Sequence, residues 1–157
     1  MQAQFKNIGK LILCLALCLI VGFIGSIFAQ ISIQDWYPGL NHPMGTPPSG
    51  AFAPIWTLFY VMMGVSLWWA GFANPSKEAY ALFYLQLFFN LIWSFVFFGM
   101  RSILLGFIDI LLLDICLAAT IWTFWPFSRP AALLLIPYFV WTVYATFLNF
   151  GLLVLNR

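Results

Sequence analysis

LILCLALCLIVGFIGSIFAQISIQ, residues Leu11–Gln34, runs for 24 positions without a formal charge. An α-helix rises about 1.5 Å per residue and a bilayer's hydrocarbon core is about 30 Å thick, so about 20 apolar residues cross it. This stretch is long enough to do so. Three further uncharged runs follow, Ala51–Ser76, Ala79–Met100 and Pro130–Asn156, and a fifth, Ser102–Phe124, is interrupted only by Asp109 and Asp114. The other charges, Lys6, Lys10, Asp35, Lys77, Glu78, Arg101, Arg129 and Arg157, fall between the runs like punctuation. The pattern predicts five transmembrane helices, over about 9–30, 52–72, 79–99, 103–124 and 131–153. That is an all-α integral membrane bundle of five helices, a single domain over residues 1–157.

The whole composition agrees. Of 157 residues, 64% are hydrophobic and 6% charged, against about 25% charged in a soluble domain. The chain is too apolar to be disordered, and a net charge of +2 gives no footing for nucleic acid. A transmembrane β-barrel needs short segments alternating apolar with polar, whereas Leu111–Leu113 and Leu133–Ile136 are continuous apolar blocks. Lys6 and Lys10 before an apolar run resemble a signal peptide, but the run is long for one and Ile27-Phe28-Ala29 is a poor cleavage site, so the first helix is expected to be retained. With five helices, Lys6, Lys10, Lys77 and Arg129 share one side, and Arg101 and Arg157 the other. The positive-inside rule then sets the N-terminus inside and the C-terminus outside. Nothing resembles a cleaved transit peptide, which makes a bacterial inner membrane the default.

Within this frame a few residues carry more information. Cys14, Cys18 and Cys116 all fall within helices, an odd number that makes no disulfide framework, and no His or carboxylate accompanies Cys14 and Cys18 on their shared i, i+4 face, so they read as packing residues and not as a metal site. Residues 35–48 form a long connection stiffened by Pro38, Pro43, Pro47 and Pro48, with Trp36 and Tyr37 suited to the membrane interface. A stiff segment beside a helix mouth suits a lid over a cavity. His42, the only histidine, reads as solvated. Trp56 and Tyr60 share a face at i, i+4. Gln86, Asn90, Trp93 and Phe97 form one stripe, either glue between helices or the wall of a ligand pocket. Tyr138, Trp141 and Ala145 share a face of the last helix beside Pro137, which interrupts that helix's hydrogen bonding. Asp109 and Asp114 differ by about 140° around their helix, so they form no carboxylate pair for acid–base chemistry. Each needs a partner, a proton or water, and Asp109 lies at the end where it can pair with Arg101 or reach the interface. Aromatic faces on helices 2, 3 and 5 could together enclose a flat apolar ligand.

Several spaced motifs resemble one family. They are Thr46-Pro47-Pro48 followed by Phe52-x-Pro54-x-Trp56-Thr57-x-x-Tyr60, then Gln86-Leu87-x-x-Asn90-x-x-Trp93-Ser94 and Phe97-Phe98-Gly99, and finally Pro137-Tyr138-x-x-Trp141 and Ala145-Thr146-x-Leu148-Asn149. In this order they look like the tryptophan-rich sensory protein/translocator protein family, which includes the peripheral-type benzodiazepine receptor, over about residues 11–155. The resemblance implies a compact five-helix bundle, commonly a homodimer, that binds tetrapyrroles such as protoporphyrin IX and haem and, in animal mitochondria, cholesterol. It implies a pocket formed by Tyr37, Pro47, Trp56, Tyr60, Asn90, Trp141 and Ala145, to which the helix 3 stripe adds Trp93. Trp56 and Trp141 match tryptophans implicated in light-dependent porphyrin breakdown in some bacterial relatives. One departure is Gly45, where many relatives carry Trp. Another is Tyr144, which has no basic residue within five positions after it and so does not complete the animal cholesterol motif.

Three readings of function follow. The first is a membrane tetrapyrrole-binding sensor or transporter, with protoporphyrin IX or haem as ligand and no required cofactor, catalytic residue or metal site. His42 becomes an axial ligand only if the loop folds inward. The second is light-dependent porphyrin degradation, since no acid–base, nucleophile or metal constellation supports conventional catalysis. The third is a lipid or sterol carrier, or a scaffold, with Gly22 and Ser26 as a close-contact face.

Overall fold

The computed structural model describes Gln2–Arg157, with side chains described from Asn7 onward. Lys6, counted above for orientation, lies outside the residues whose side chains are described. Five helices are present: α1 (Gln2–Ile33), α2 (Phe52–Ala70), α3 (Lys77–Ser94), α4 (Ile103–Phe124) and α5 (Arg129–Leu155). All five are long and apolar enough to cross a membrane. Among the described residues there is no strand. Exposed Leu13, Phe23, Trp122 and Val140 show what covers this molecule: apolar side chains point outward because hydrocarbon, not water, surrounds them.

Local chemistry sets several helix ends. The Ser76 hydroxyl accepts from the Ala79 N–H at 3.2 Å to cap α3, and the Ser102 hydroxyl caps α4 through the Leu105 N–H at 3.3 Å; each satisfies a backbone donor that the first turn leaves free. Pro130 occupies the first turn of α5, where a missing N–H costs nothing. α4 spans the residues predicted, and the other helices run up to seven residues longer or five shorter at their ends. The predicted end of helix 3 is a separate π-helical turn, Phe95–Gly99. That wider turn buries the adjacent Phe97 and Phe98 together, with ring centroids 4.8 Å apart. The Ser32 hydroxyl at the end of α1 donates to the Phe98 carbonyl at 2.6 Å.

The helices close into a ring in the order α1, α2, α5, α4, α3. One buried cluster joins α2, α3 and α5 through Phe59, Met63, Phe83, Leu135 and Tyr138. A second, nearer the long loop, gathers Tyr37, Trp93, Phe97, Ile110 and Leu152. α1 is the outlying member: 11% of its spanning segment is buried, against about a third of the others.

The carboxylates depart from one expectation. Arg101 does not pair with Asp109; its guanidinium donates to Asp35 at 3.3 Å, across the mouth of the bundle. Arg101 sits at φ +53° just past the π turn, which places it next to the end of α1. Asp109 is buried on α4, and among the described residues its Oδ2 has no hydrogen-bond partner. Asp114 accepts from the Thr146 hydroxyl of α5 at 2.7 Å, so one helix–helix hydrogen bond meets part of the need that its depth creates.

Candidate ligand site

Asn90 stands at the centre of the candidate site. It is 2% exposed. Its Oδ1 accepts from the Tyr60 hydroxyl of α2, and its Nδ2 donates to the Tyr138 hydroxyl of α5. One amide on α3 thus ties three helices. The whole predicted stripe of Gln86, Asn90, Trp93 and Phe97 is buried. Gln86 has only a long contact from its amide nitrogen to the Met63 sulfur at 3.6 Å.

Beside this hub lies a groove of about 600 Å³ between α1, α2 and α3. Trp56 and Trp93 stand together in its wall, with ring centroids 6.1 Å apart and 31° between planes. Tyr60 and Asn90, both buried, are the hub residues that also line it. Small residues on α1 make the space. A Cβ on Gly22 would collide with the Tyr60 ring, and one on Gly25 would meet the Ser94 hydroxyl at 3.0 Å. Ser26, Ala29 and Gln30 continue that face toward the loop. Exposed Phe23 and Thr57 lie along the rim, so the groove opens sideways between α1 and α2, toward lipid. No residue lining it carries a formal charge.

A smaller void of about 30 Å³ lies on the α5 side, lined by Tyr37, Trp141, Ala145 and Asn149 among others. Trp56 and Trp93 line both spaces. The eight expected residues therefore fall in four places. Tyr60 and Asn90 face the groove, Tyr37, Trp141 and Ala145 face the small void, and Trp56 and Trp93 stand between. Pro47 is half-buried in the loop and lines neither space. The contribution of α1 was missed from sequence. Its signal was the row Gly22, Gly25, Ser26 and Ala29, small residues at helical spacing within an otherwise bulky span.

The long loop packs over the small void. Asn41 and Asn156 exchange hydrogen bonds, the Asn41 N–H to Asn156 Oδ1 at 2.8 Å and Asn156 Nδ2 to the Asn41 carbonyl at 3.0 Å. The Tyr144 hydroxyl donates to the Gly45 carbonyl at 2.5 Å. Gly45 has φ +90°, a left-handed conformation that tryptophan adopts only under strain. The departure from the family's Trp thus coincides with a backbone shape that asks for glycine. Tyr37 packs under the loop against Phe98 and His42, and burial pushes its phenol up to about 12. His42 is exposed, lines neither space, and places Nε2 2.9 Å from the Tyr37 carbonyl.

Fold and site together define a multi-pass integral membrane protein of five helices, with a tryptophan-walled groove open to the bilayer. Comparison with known proteins places it further. The profile of the TspO/MBR family matches residues 14–155. Tryptophan-rich protein TspO of Archaeoglobus fulgidus is 42% identical over 153 residues, covering 96% of this chain and 99% of the relative. Tryptophan-rich protein TspO of Chlorobaculum tepidum is 43% identical, covering 96% and 98%. The translocator protein of Homo sapiens is 35% identical over 133 residues, covering 82% and 79%. The chain belongs to the TspO/MBR family.

Proposed function

We propose that this protein is a membrane sensor or transporter that binds a tetrapyrrole, protoporphyrin IX or haem, in the groove between α1, α2 and α3. The observation that carries the reading is the groove itself. Its volume of about 600 Å³ falls within the roughly 300–1,000 Å³ of small-molecule sites. Trp56 and Trp93 offer faces for stacking a flat macrocycle, and Tyr60 and Asn90 offer hydrogen bonds at its deep end. Relatives named sensory protein and translocator protein support the sensing or transport half. The groove lies in the half of the bundle near the long loop. With Lys10, Lys77 and Arg129 set inside against Arg101 and Arg157 outside, that half is the outer leaflet of a bacterial inner membrane. The unit in the membrane is a homodimer, a state that light scattering of the solubilised protein reads directly.

The test is a dark titration of protoporphyrin IX into the protein in nanodiscs, followed by tryptophan quenching and absorbance. Saturable binding, weakened roughly tenfold by Trp56→Ala, is expected, since an aromatic face carries about 1 kcal/mol or more. Absence of saturable binding would sink the tetrapyrrole reading. A second reading, a neutral lipid or sterol carrier, is favoured by the sideways opening and the uncharged lining, and competition by a sterol in the same titration decides for it. Illumination of the loaded protein tests degradation: product formation that slows in Trp56→Phe and Trp141→Phe marks photochemistry at these rings.

A further inference from the structure

Asp114 stands midway along α4, at the seam with α5, and the ligand groove makes no use of it. Its Oδ2 meets the Thr146 hydroxyl at 2.7 Å, and Thr142 faces the same carboxyl. Its Oδ1 is buried and, among the described residues, has no hydrogen-bond partner. No cation compensates it: among the described residues the one ion pair is Arg101–Asp35. Few titratable groups surround it. From α5 it is faced by Tyr138, whereas Arg129 begins that helix and Tyr144 is bonded to the loop at Gly45. α3 meets α4 between the Phe83–Phe124 stack and the Phe97–Gly106 contact. Over 84–96 the only titratable residue there is the exposed Tyr84. On α4 itself, Asp109 and Cys116 are turned about 140° and 160° away.

Counting hydrogens shows what this seam can do. Thr146 has one hydroxyl hydrogen and two acceptors for it, Asp114 Oδ2 at 2.7 Å and the Thr142 carbonyl at 3.0 Å. With Asp114 ionised, that hydrogen points to the carboxylate. With Asp114 protonated, the acid donates to the Thr146 oxygen, and Thr146 turns its hydrogen to the Thr142 carbonyl. Thr142 has the same choice between the Phe139 carbonyl, 3.0 Å away, and the carboxyl. One proton is thus taken up or released by turning hydroxyls, with no heavy atom displaced. Tyr138, Thr142 and Thr146 follow one another at steps of four on α5 and share a face, so the seam leads to the Asn90 hub. There the Tyr138 oxygen accepts from Asn90 Nδ2, and among the described residues the Tyr138 hydrogen has no acceptor. An ionised Asp114 attracts that hydrogen, and a neutral one releases it to Asn90. A half-turn of the Asn90 amide exchanges its oxygen and nitrogen at nearly the same positions. Tyr138 then donates to Asn90 Oδ1, Asn90 Nδ2 donates to the Tyr60 oxygen, and the Tyr60 hydrogen is free for the groove that Tyr60 lines.

We propose that Asp114, with Thr142 and Thr146, is a membrane-embedded proton-binding site, and that its proton sets the direction of the Tyr138–Asn90–Tyr60 chain. Loaded, the site makes Tyr60 a donor toward the groove; empty, it keeps the Tyr60 hydrogen on Asn90. The second half rests on the groove being the ligand site, and it deepens the transporter reading. A ligand that accepts a hydrogen bond is held with the proton and loosened by its release, and by reciprocity the ligand holds the proton at Asp114.

The full-length protein in nanodiscs tests the two halves separately. Infrared difference spectra between mildly acid and mildly alkaline pH, with isotope-labelled aspartate, read the carbonyl band of a protonated Asp side chain. The expected result is one Asp band that disappears as pH rises, survives in Asp109→Asn, shifts in Thr146→Ala and is missing in Asp114→Asn. An Asp114 band that persists at every pH, or one that never forms, overturns the site. Thr146→Ala assigns the band if Asp114→Asn does not fold. The second measurement is a dark titration of protoporphyrin IX dimethyl ester, whose side chains cannot ionise, at both pH values. Wild type is expected to bind it roughly fivefold tighter at acid pH, the worth of about one net hydrogen bond. Asp114→Asn, neutral throughout, is expected to bind equally at both, at the acid level. Tyr138→Phe is expected to lose the pH dependence while its Asp114 band still titrates, a split that a merely structural tyrosine does not give. Equal wild-type affinity at the two pH values, with the band titrating, overturns the link and leaves the proton site. Absence of ester binding at both removes the groove reading and the link with it, and the infrared band then decides the site alone.

Discussion

Asn90 shows what a single polar side chain does in an apolar surround. It accepts from one tyrosine and donates to another, and among the described residues neither Tyr60 nor Tyr138 has another side-chain hydrogen-bond partner. Asn90→Ala leaves two buried hydroxyls without that partner. The expected cost is about 2–6 kcal/mol, from about 1–3 kcal/mol for each unsatisfied group; thermal unfolding in detergent checks it, with Asn90→Gln as the variant that keeps the amide. A stability change under 1 kcal/mol would mean that the tyrosines find other partners. Gly45 makes a different demand. At φ +90°, with the Tyr144 hydroxyl 3.0 Å from where a Cβ would stand, Gly45→Ala is expected to destabilise by about 1–2 kcal/mol through backbone strain. Wild-type stability in that variant would show that the loop relaxes freely.

At the scale of elements, the loop is held by a few specific contacts. The Asn41–Asn156 exchange joins residues 115 apart in sequence, and Pro43 packs so closely on Gly151 that a Cβ there would lie 2.7 Å from it. A double-mutant cycle between Asn41→Ala and Asn156→Ala is expected to give a coupling of about 1 kcal/mol, read from the unfolding midpoint. Strict additivity would count against the latch. The exposed Arg101–Asp35 pair, 44% and 65% open on its two side chains, adds little by comparison. These contacts explain which elements were legible in the sequence. Helix α4 was readable to the residue, because Ser102 and the charges around it set its limits locally. The stiff loop was readable from its prolines, but its docking was not, since nothing near Asn41 points to Asn156. The π turn after Ser94 was also hidden: Phe-Val-Phe-Phe-Gly continues an apolar helix pattern, and only the packing of Phe97 and Phe98 against α1 and the loop shows why it widens.

At the scale of the molecule, the five spans follow from charge punctuation, and the ring order does not. Hydropathy says that each helix is buried in something, without saying whether that is protein or lipid. This is why Trp56, Tyr60, Asn90, Trp93, Trp141 and Ala145 could all be read as inward residues while their division between two spaces could not. It is also why α1, the most apolar span and the least buried, went unread as a wall of the groove. The α1 wall is the feature on which the functional account turns. Ser26 faces the groove near its rim, and its hydroxyl bonds only to the Phe23 carbonyl within its own helix. Ser26→Trp therefore fills the groove without breaking a hydrogen bond between helices. The most direct measurement is the dark protoporphyrin IX titration of Ser26→Trp beside wild type, with thermal stability recorded for both. The account predicts affinity lost by tenfold or more, on the order of 1.4 kcal/mol, at unchanged stability. Wild-type affinity in Ser26→Trp would contradict it and would place the ligand elsewhere than between α1, α2 and α3.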